Sequence, residues 1–388
     1  MSIILNYYHT QIILSSYNKK NKDYILSNLH NYKKIENFQC NNSNLSFLPN
    51  FKLKLLSSFN SLIYLDCSYN NIIELPDLYH LTFLEKLICH DNNLIKLPSS
   101  LPNSLTDLNC NNNNLTELPN LSNLTLLKKL LCSNNQLSRL PSSLPNSITD
   151  LHCYKNNLTE LPISLPNSLI NLTCSQNKLI KLPSSLPNLL NDLFCGFNNL
   201  IELPQYLPKT LTCFCCNNNK LIKLPNLINT NLRTFCCSGN NLLELPELPK
   251  TLFYFDCSNN SLTRLPNLNN CSLYSLICEN NQLIDYPFLP LSLRSFMFDT
   301  DILYKYSHIF PINYINTLEL PERNLYKSYN VIDVINLFNI IIKKMKILNR
   351  TLLLEHSARI SMNPKRIQRL LDNKEINFFD GSFDNLTF

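Results

Sequence analysis

The chain has 388 residues, a net charge of +6, sixteen cysteines and three glycines. No apolar run approaches the roughly 18 residues that a membrane-spanning helix needs, and a chain with so few glycines offers no phosphate-binding glycine loop. The positive excess sits in residues 322 to 376, with eleven Lys/Arg and five Asp/Glu; the remainder carries 23 of each sign and no basic footprint for nucleic acid.

At the N-terminus, Asn6, Tyr7, Tyr8, His9 and Gln11 interrupt the apolar stretch that a secretory leader requires. The expectation is a cytoplasmic protein, with neither membrane nor nucleic acid as partner, whose thiols are reduced. Tyr24, Ile25, Leu26 and Leu29 offer an apolar face, so residues 1–36 are predicted to form a cap.

Residues 37–298 repeat one frame, L-x-x-L-x-C-x-x-N-x-L-x-x-L-P, with cysteines at 40, 67, 89, 110, 132, 153, 174, 195, 216, 237, 257 and 278. From Cys67 onward the step is always 20 to 22 residues, the signature of a solenoid whose units stack in sequence order. In Leu105 to Pro119, Leu105, Leu108 and Cys110 follow the period of a short strand, and Leu115 and Leu118 return the chain inward past a turn. Five buried side chains cannot offset the ordering entropy of one isolated repeat, so the units are stable only as a stack. Twelve cysteines at one repeat position read as small core residues, not as disulfide partners.

Three residues after the repeat cysteine stands an Asn, at 70, 92, 113, 135, 156, 177, 198, 219, 240, 260 and 281, with Ser43 in its place in the first unit. A carboxamide carries two donors and an acceptor, suited to a buried turn whose backbone needs partners from the next coil. Before each Leu-Pro pair the charge alternates without exception: Glu74, Lys96, Glu117, Arg139, Glu160, Lys181, Glu202, Lys223, Glu244, Arg264 and Asp285. Neighbouring coils lie about 4.8 Å apart, so a ladder of ion pairs is expected. A second alternating set, Lys86, Asp107, Lys129, Asp150, Asn171 and Asp192, is expected on the strands themselves.

These residues resemble the leucine-rich repeat family across 37–298. The connecting stretch LPSSLPNSL at 97 to 105 is similar to the short Leu-Pro type of bacterial secreted effectors, and the Asn-, Ile-, Lys- and Tyr-rich composition looks like repeat proteins of giant DNA viruses. The resemblance implies an α/β solenoid, a right-handed superhelix with a parallel sheet on its concave face, used for binding proteins.

Residues flanking the inward leucine and cysteine must face outward. The residue between them is Ile88, Leu131, His152 or Phe194 in four of the repeats, while Tyr154 and Phe197 lie just beyond. Exposed aromatic and aliphatic residues on a concave sheet are candidate anchors for a protein partner, so Ile88, Leu131, His152, Tyr154, Phe194 and Phe197 form the candidate binding patch. Cys213, Cys215 and Cys236 also face outward; with no fourth ligand and no C-x-x-C spacing they read as surface thiols, and no metal or other cofactor is expected.

After Phe298, which replaces the repeat cysteine, the pattern turns helical, and 299–388 is predicted to be a helical C-terminal cap. Helices are expected over 331–348 and from an Asn363 N-cap with Pro364 at the first position. The function expected is a non-enzymatic, monomeric protein-binding scaffold, directed at host proteins. Two alternatives stay open. One is a ubiquitin-ligase-related effector or adaptor, although no cysteine follows Cys278 to serve as nucleophile; the other is a structural component of a viral particle.

Overall fold

The structure, a computed structural model, describes residues 11–13, 26, 29, 34–49, 54–284 and 287–299. Among the described residues, fourteen three-residue strands form one parallel sheet in strict sequence order. They begin with β1 (Gln11–Ile13), β2 (Asn37–Gln39), β3 (Tyr64–Asp66), β4 (Lys86–Ile88), β5 (Asp107–Asn109), β6 (Lys129–Leu131) and β7 (Asp150–His152). The series continues with β8 (Asn171–Thr173), β9 (Asp192–Phe194), β10 (Cys213–Cys215), β11 (Thr234–Cys236), β12 (Tyr254–Asp256), β13 (Ser275–Ile277) and β14 (Ser295–Met297). The solenoid expected from the repeat is therefore the fold, and β1, inside the segment expected to cap it, adds a strand in register with β2. A 3-10 helix spans Lys54–Ser61, and turns and extended segments make up the arcs between strands. Among the described residues no helix is long and apolar enough to cross a membrane.

The strands are short because only one residue of each, the Leu or Phe between two outward neighbours, must be buried. Leu108 and its equivalents from β1 to β13 are buried, Phe296 of β14 partly so, and every repeat cysteine from Cys40 to Cys278 is buried. Three consecutive strands carry Phe instead of Leu. Phe214, Phe235 and Phe255 stack face to face through the core, with ring centroids 5.5 and 5.6 Å apart. Burial pushes the core thiols up, to about 12 for Cys110 and Cys174, so these cysteines are neutral packing groups. All sixteen cysteines are free thiols.

The Asn column closes each turn. Asn113 Nδ2 donates to the carbonyls of Cys89, one coil earlier, at 3.0 Å and of its own Cys110 at 3.2 Å, and its Oδ1 accepts from Leu94 N–H at 2.9 Å. The same triad of bonds recurs along the chain, which is why the carboxamide is required and tolerates being buried. At the start Ser43 stands in the Asn position, and Asn70 Oδ1 accepts from the Ser43 N–H at 3.0 Å. At the other end the Asp299 carboxylate accepts from the Asn280 and Asn281 N–H groups at 2.8 and 3.1 Å, ending the ladder with an acceptor.

One expectation fails in its detail. The charges from Glu74 to Arg264 are all exposed, and among the described residues none of them forms an ion pair within 4.0 Å. Water solvates both signs well at such a surface, and pinning two long side chains together has an entropic cost that matches the Coulomb gain. The column is a series of solvated, alternating charges. Asp285, and the helices expected over 331–348 and from Asn363, lie outside the described residues.

Candidate protein-binding surface

Strand register arranges the outward side chains in columns. One column runs Asp66, Ile88, Asn109, Leu131, His152, Thr173, Phe194, Cys215, Cys236, Asp256, Ile277 and Met297, each paired with the next across the sheet. Four of the six residues expected to form the patch, Ile88, Leu131, His152 and Phe194, lie in it. Leu131 and His152 are direct neighbours, Asn109 separates Ile88 from Leu131, and Thr173 separates His152 from Phe194. All four are partly buried.

The parallel column, one residue before the inward side chain, holds Lys86, Asp107, Lys129, Asp150, Asn171 and Asp192 in the expected order. Partial burial raises the Asp150 carboxyl, but hydrogen bonds from Thr149 Oγ1 at 2.6 Å and Asn171 Nδ2 at 2.7 Å, with Lys129 nearby, outweigh it and hold the group below its usual range. Burial pushes the His152 imidazole down against the opposing pull of Asp150, so it is neutral at physiological pH. The face thus sets a fixed negative charge beside a neutral ring and Leu131.

Tyr154 and Phe197 lie off the sheet column. Tyr154 follows Cys153 on the way out of the strand and is exposed. Phe197 lies in the turn itself, with φ of 53°. That turn position is left-handed in repeat after repeat, occupied by Asp91, Asn112, Asn134, Asn218, Asn259 and Asn280, by Gly239 with φ of 64°, and by Tyr69, Lys155 and Gln176. Asn, Asp and Gly tolerate this conformation; a bulky aromatic does so at a cost. Backbone bonds on both sides hold Phe197 there, its N–H to Asn217 O at 2.8 Å and its carbonyl to Asn177 N–H at 3.3 Å, yet 52% of the residue is exposed. Its neighbour Gly196 has no β-carbon, and one placed there would clash with the Asn217 side chain. The sequence reading found Phe197 by aromaticity alone. A second signal is its departure from the Asn-rich turn position, which Tyr69, Lys155 and Gln176 share.

Cys215 and Cys236 are paired across β10 and β11, with Cys213 on the same face, and all three are partly exposed. A hydrogen bond with Cys215, then burial, pushes the Cys213 thiol up; Cys215 is pulled down by Cys213, but Cys236 and burial carry it to about 12. Among the described residues no group of three or more metal-ligating side chains is placed to hold a metal ion.

No protein-family model and no curated protein matches the sequence. Solved structures do. YopM from Yersinia enterocolitica WA-314 aligns at 37% identity over 73% of this chain and 60% of its own, with a TM-score of 0.64. YopM from Yersinia pestis, described as a leucine-rich effector protein, aligns at 31% identity over 68% of this chain and 77% of its own, with a TM-score of 0.57. This chain belongs to the leucine-rich repeat family. The leucine-rich repeat protein spans 60% of the length of the Yersinia enterocolitica relative. The functional domain of InlJ from Listeria monocytogenes, which includes a cysteine ladder, aligns at 28% identity over 66% of this leucine-rich repeat chain and 65% of its own, with a TM-score of 0.51.

Proposed function

We infer that this leucine-rich repeat protein is a non-enzymatic scaffold that binds a host protein in the host cell cytoplasm through the concave, outer face of its sheet. The observation that carries the reading is Phe197, a half-exposed aromatic held in a left-handed turn that most repeats give to Asn, Asp or Gly and that, among the described residues, only Tyr69 also fills with an exposed aromatic. Strain kept at an exposed aromatic is explained by a contact that the side chain makes outside its own chain. Phe194, on the strand of the same repeat, and the Leu131–His152 pair extend the contact along the sheet. Kinship with an effector protein supports the same reading.

Affinity purification from the native cell with mass spectrometry tests it. A stoichiometric protein is expected to co-purify with the wild-type chain and to be lost from the Phe194→Ala, Phe197→Ala double variant, whose melting temperature is not lowered by more than the loss of two half-buried rings. A partner retained by that variant overturns the assignment of the face.

A further inference from the structure

Half a coil away from the strands, the residue after the leucine that follows each structural Asn points into solvent. In four consecutive repeats it is Ile180, Ile201, Ile222 and Leu243, between 53% and 63% exposed. The three repeats before them carry Thr116, Ser138 and Thr159 at this position and the next one carries Thr263, all exposed, while Ile73, Ile95 and Ile284 occupy it nearer the ends. The fold therefore accepts a small polar residue here, and the aliphatic stripe serves something other than coil stacking. Its four side chains stand about 4.8 Å apart along the solenoid, with polar residues at both ends.

Beside the stripe runs the column of alternating charges, which reads Lys181, Glu202, Lys223 and Glu244 over the same four repeats. A two-fold axis that crosses the stripe at right angles to the solenoid lays each column on its own reverse. With the axis at the stripe's midpoint, between Ile201 and Ile222, Lys181 meets Glu244 of a second copy and Glu202 meets Lys223. One repeat further out, Glu160 meets Arg264. An axis shifted by half a repeat would set like charges against each other. The charge column admits an axis at any gap between coils, and the four-residue apolar stripe picks out the gap between Ile201 and Ile222. The column on the stripe's far side, Lys178, Asn199, Lys220 and Asn241, also reverses onto itself with each Lys facing an Asn and no like charges opposed.

We propose that Ile180, Ile201, Ile222 and Leu243 are the centre of an antiparallel, two-fold contact between two copies of this chain, in place of the monomer expected from sequence. Both sheet faces stay free in such a dimer, which then offers two partner sites on opposite sides.

Sedimentation equilibrium of the full chain tests the proposal. The mass is expected to rise from 45.0 kDa towards twice that value with concentration, and to rise less in high salt. Ile201→Asp with Ile222→Asp is expected to return it to 45.0 kDa, with an unchanged circular dichroism spectrum because both positions are exposed. Lys223→Glu alone and Glu202→Lys alone each oppose like charges and are expected to dissociate the dimer; the two together restore it. This charge reversal decides the matter should the aspartate variant fail to fold. A 45.0 kDa mass at every concentration overturns the proposal, as does a dimer indifferent to the charge reversals.

Discussion

The side-chain oxygen of Asn198 accepts a hydrogen bond from the backbone N–H of Leu179, one coil earlier, at 3.0 Å. Its nitrogen donates to Cys174 O and Cys195 O, each at 3.1 Å, and to Gly196 O at 3.2 Å. One side chain thus satisfies backbone groups of two coils.

Asn198→Ala leaves Leu179 N–H without its partner in a dry turn, and a loss of about 2 to 4 kcal/mol is expected in urea unfolding. Asn198→Asp keeps the acceptor but turns a carboxylate towards three carbonyl oxygens, which raises its pKa in the folded state. The sign follows: that variant is most stable at acid pH, where the carboxyl is protonated in both states, and it weakens as pH rises through the unfolded value of about 4. Equal stability at pH 3 and pH 7, relative to wild type, would refute this geometry.

Phe197→Asn places a residue tolerant of left-handed backbone where φ is 53°. Because Phe197 is half exposed, little packing is lost, and the variant is expected to gain about 1 kcal/mol. Thermal melts check the gain, and the partner pulldown checks the accompanying loss of binding. A variant less stable than wild type would show that the ring is a packing residue.

Thiol chemistry reports the core directly. Iodoacetamide is expected to modify the partly exposed Cys213, Cys215 and Cys236 in the folded chain, slowly at Cys213 and Cys215 because their thiols are pushed up, while the other thirteen cysteines, all buried, react only in denaturant. With Cys110 and Cys174 raised from 9.0 to about 12, these thiols stay protonated in the folded chain while the unfolded chain ionises. Their contribution to stability is complete below pH 9 and falls as pH climbs towards 12, by up to about 1.4 kcal/mol per thiol per pH unit. A cooperative alkaline unfolding transition above pH 9, followed by circular dichroism, is the expected outcome; its absence up to pH 12 would contradict burial of the column.

The Phe214, Phe235 and Phe255 stack gives a packing test. Phe235→Ala opens a cavity between two rings and is expected to cost about 3 to 5 kcal/mol. Phe235→Leu restores the residue of the other repeats and is expected to cost about 1 kcal/mol. Urea midpoints distinguish the two, and similar losses would show that the column relaxes freely.

The column of repeat cysteines made the coil legible from sequence, because a fixed step of 20 to 22 residues orients every residue between one cysteine and the next. It placed Ile88, Leu131, His152 and Phe194 on one face before any coordinates. What it missed depends on backbone geometry and solvent. Nothing in hydrophobic spacing says that the turn at Phe197 is left-handed, and charge alternation does not reveal that Lys181 and Glu202 stand apart in water. The Ile180 to Leu243 stripe escaped because its residues look like core leucines in a linear reading.

Among the described residues each strand pairs only with its neighbours in sequence, from β1 to β14, with no crossover and no closure. The molecule is therefore a ruler whose length can drift in evolution without redesign of any single unit. Each coil gained or lost moves the two ends about 5 Å further apart or closer together, and because the alternating charges stand solvated and form no ion pairs among the described residues, they set no rule of even numbers on that drift.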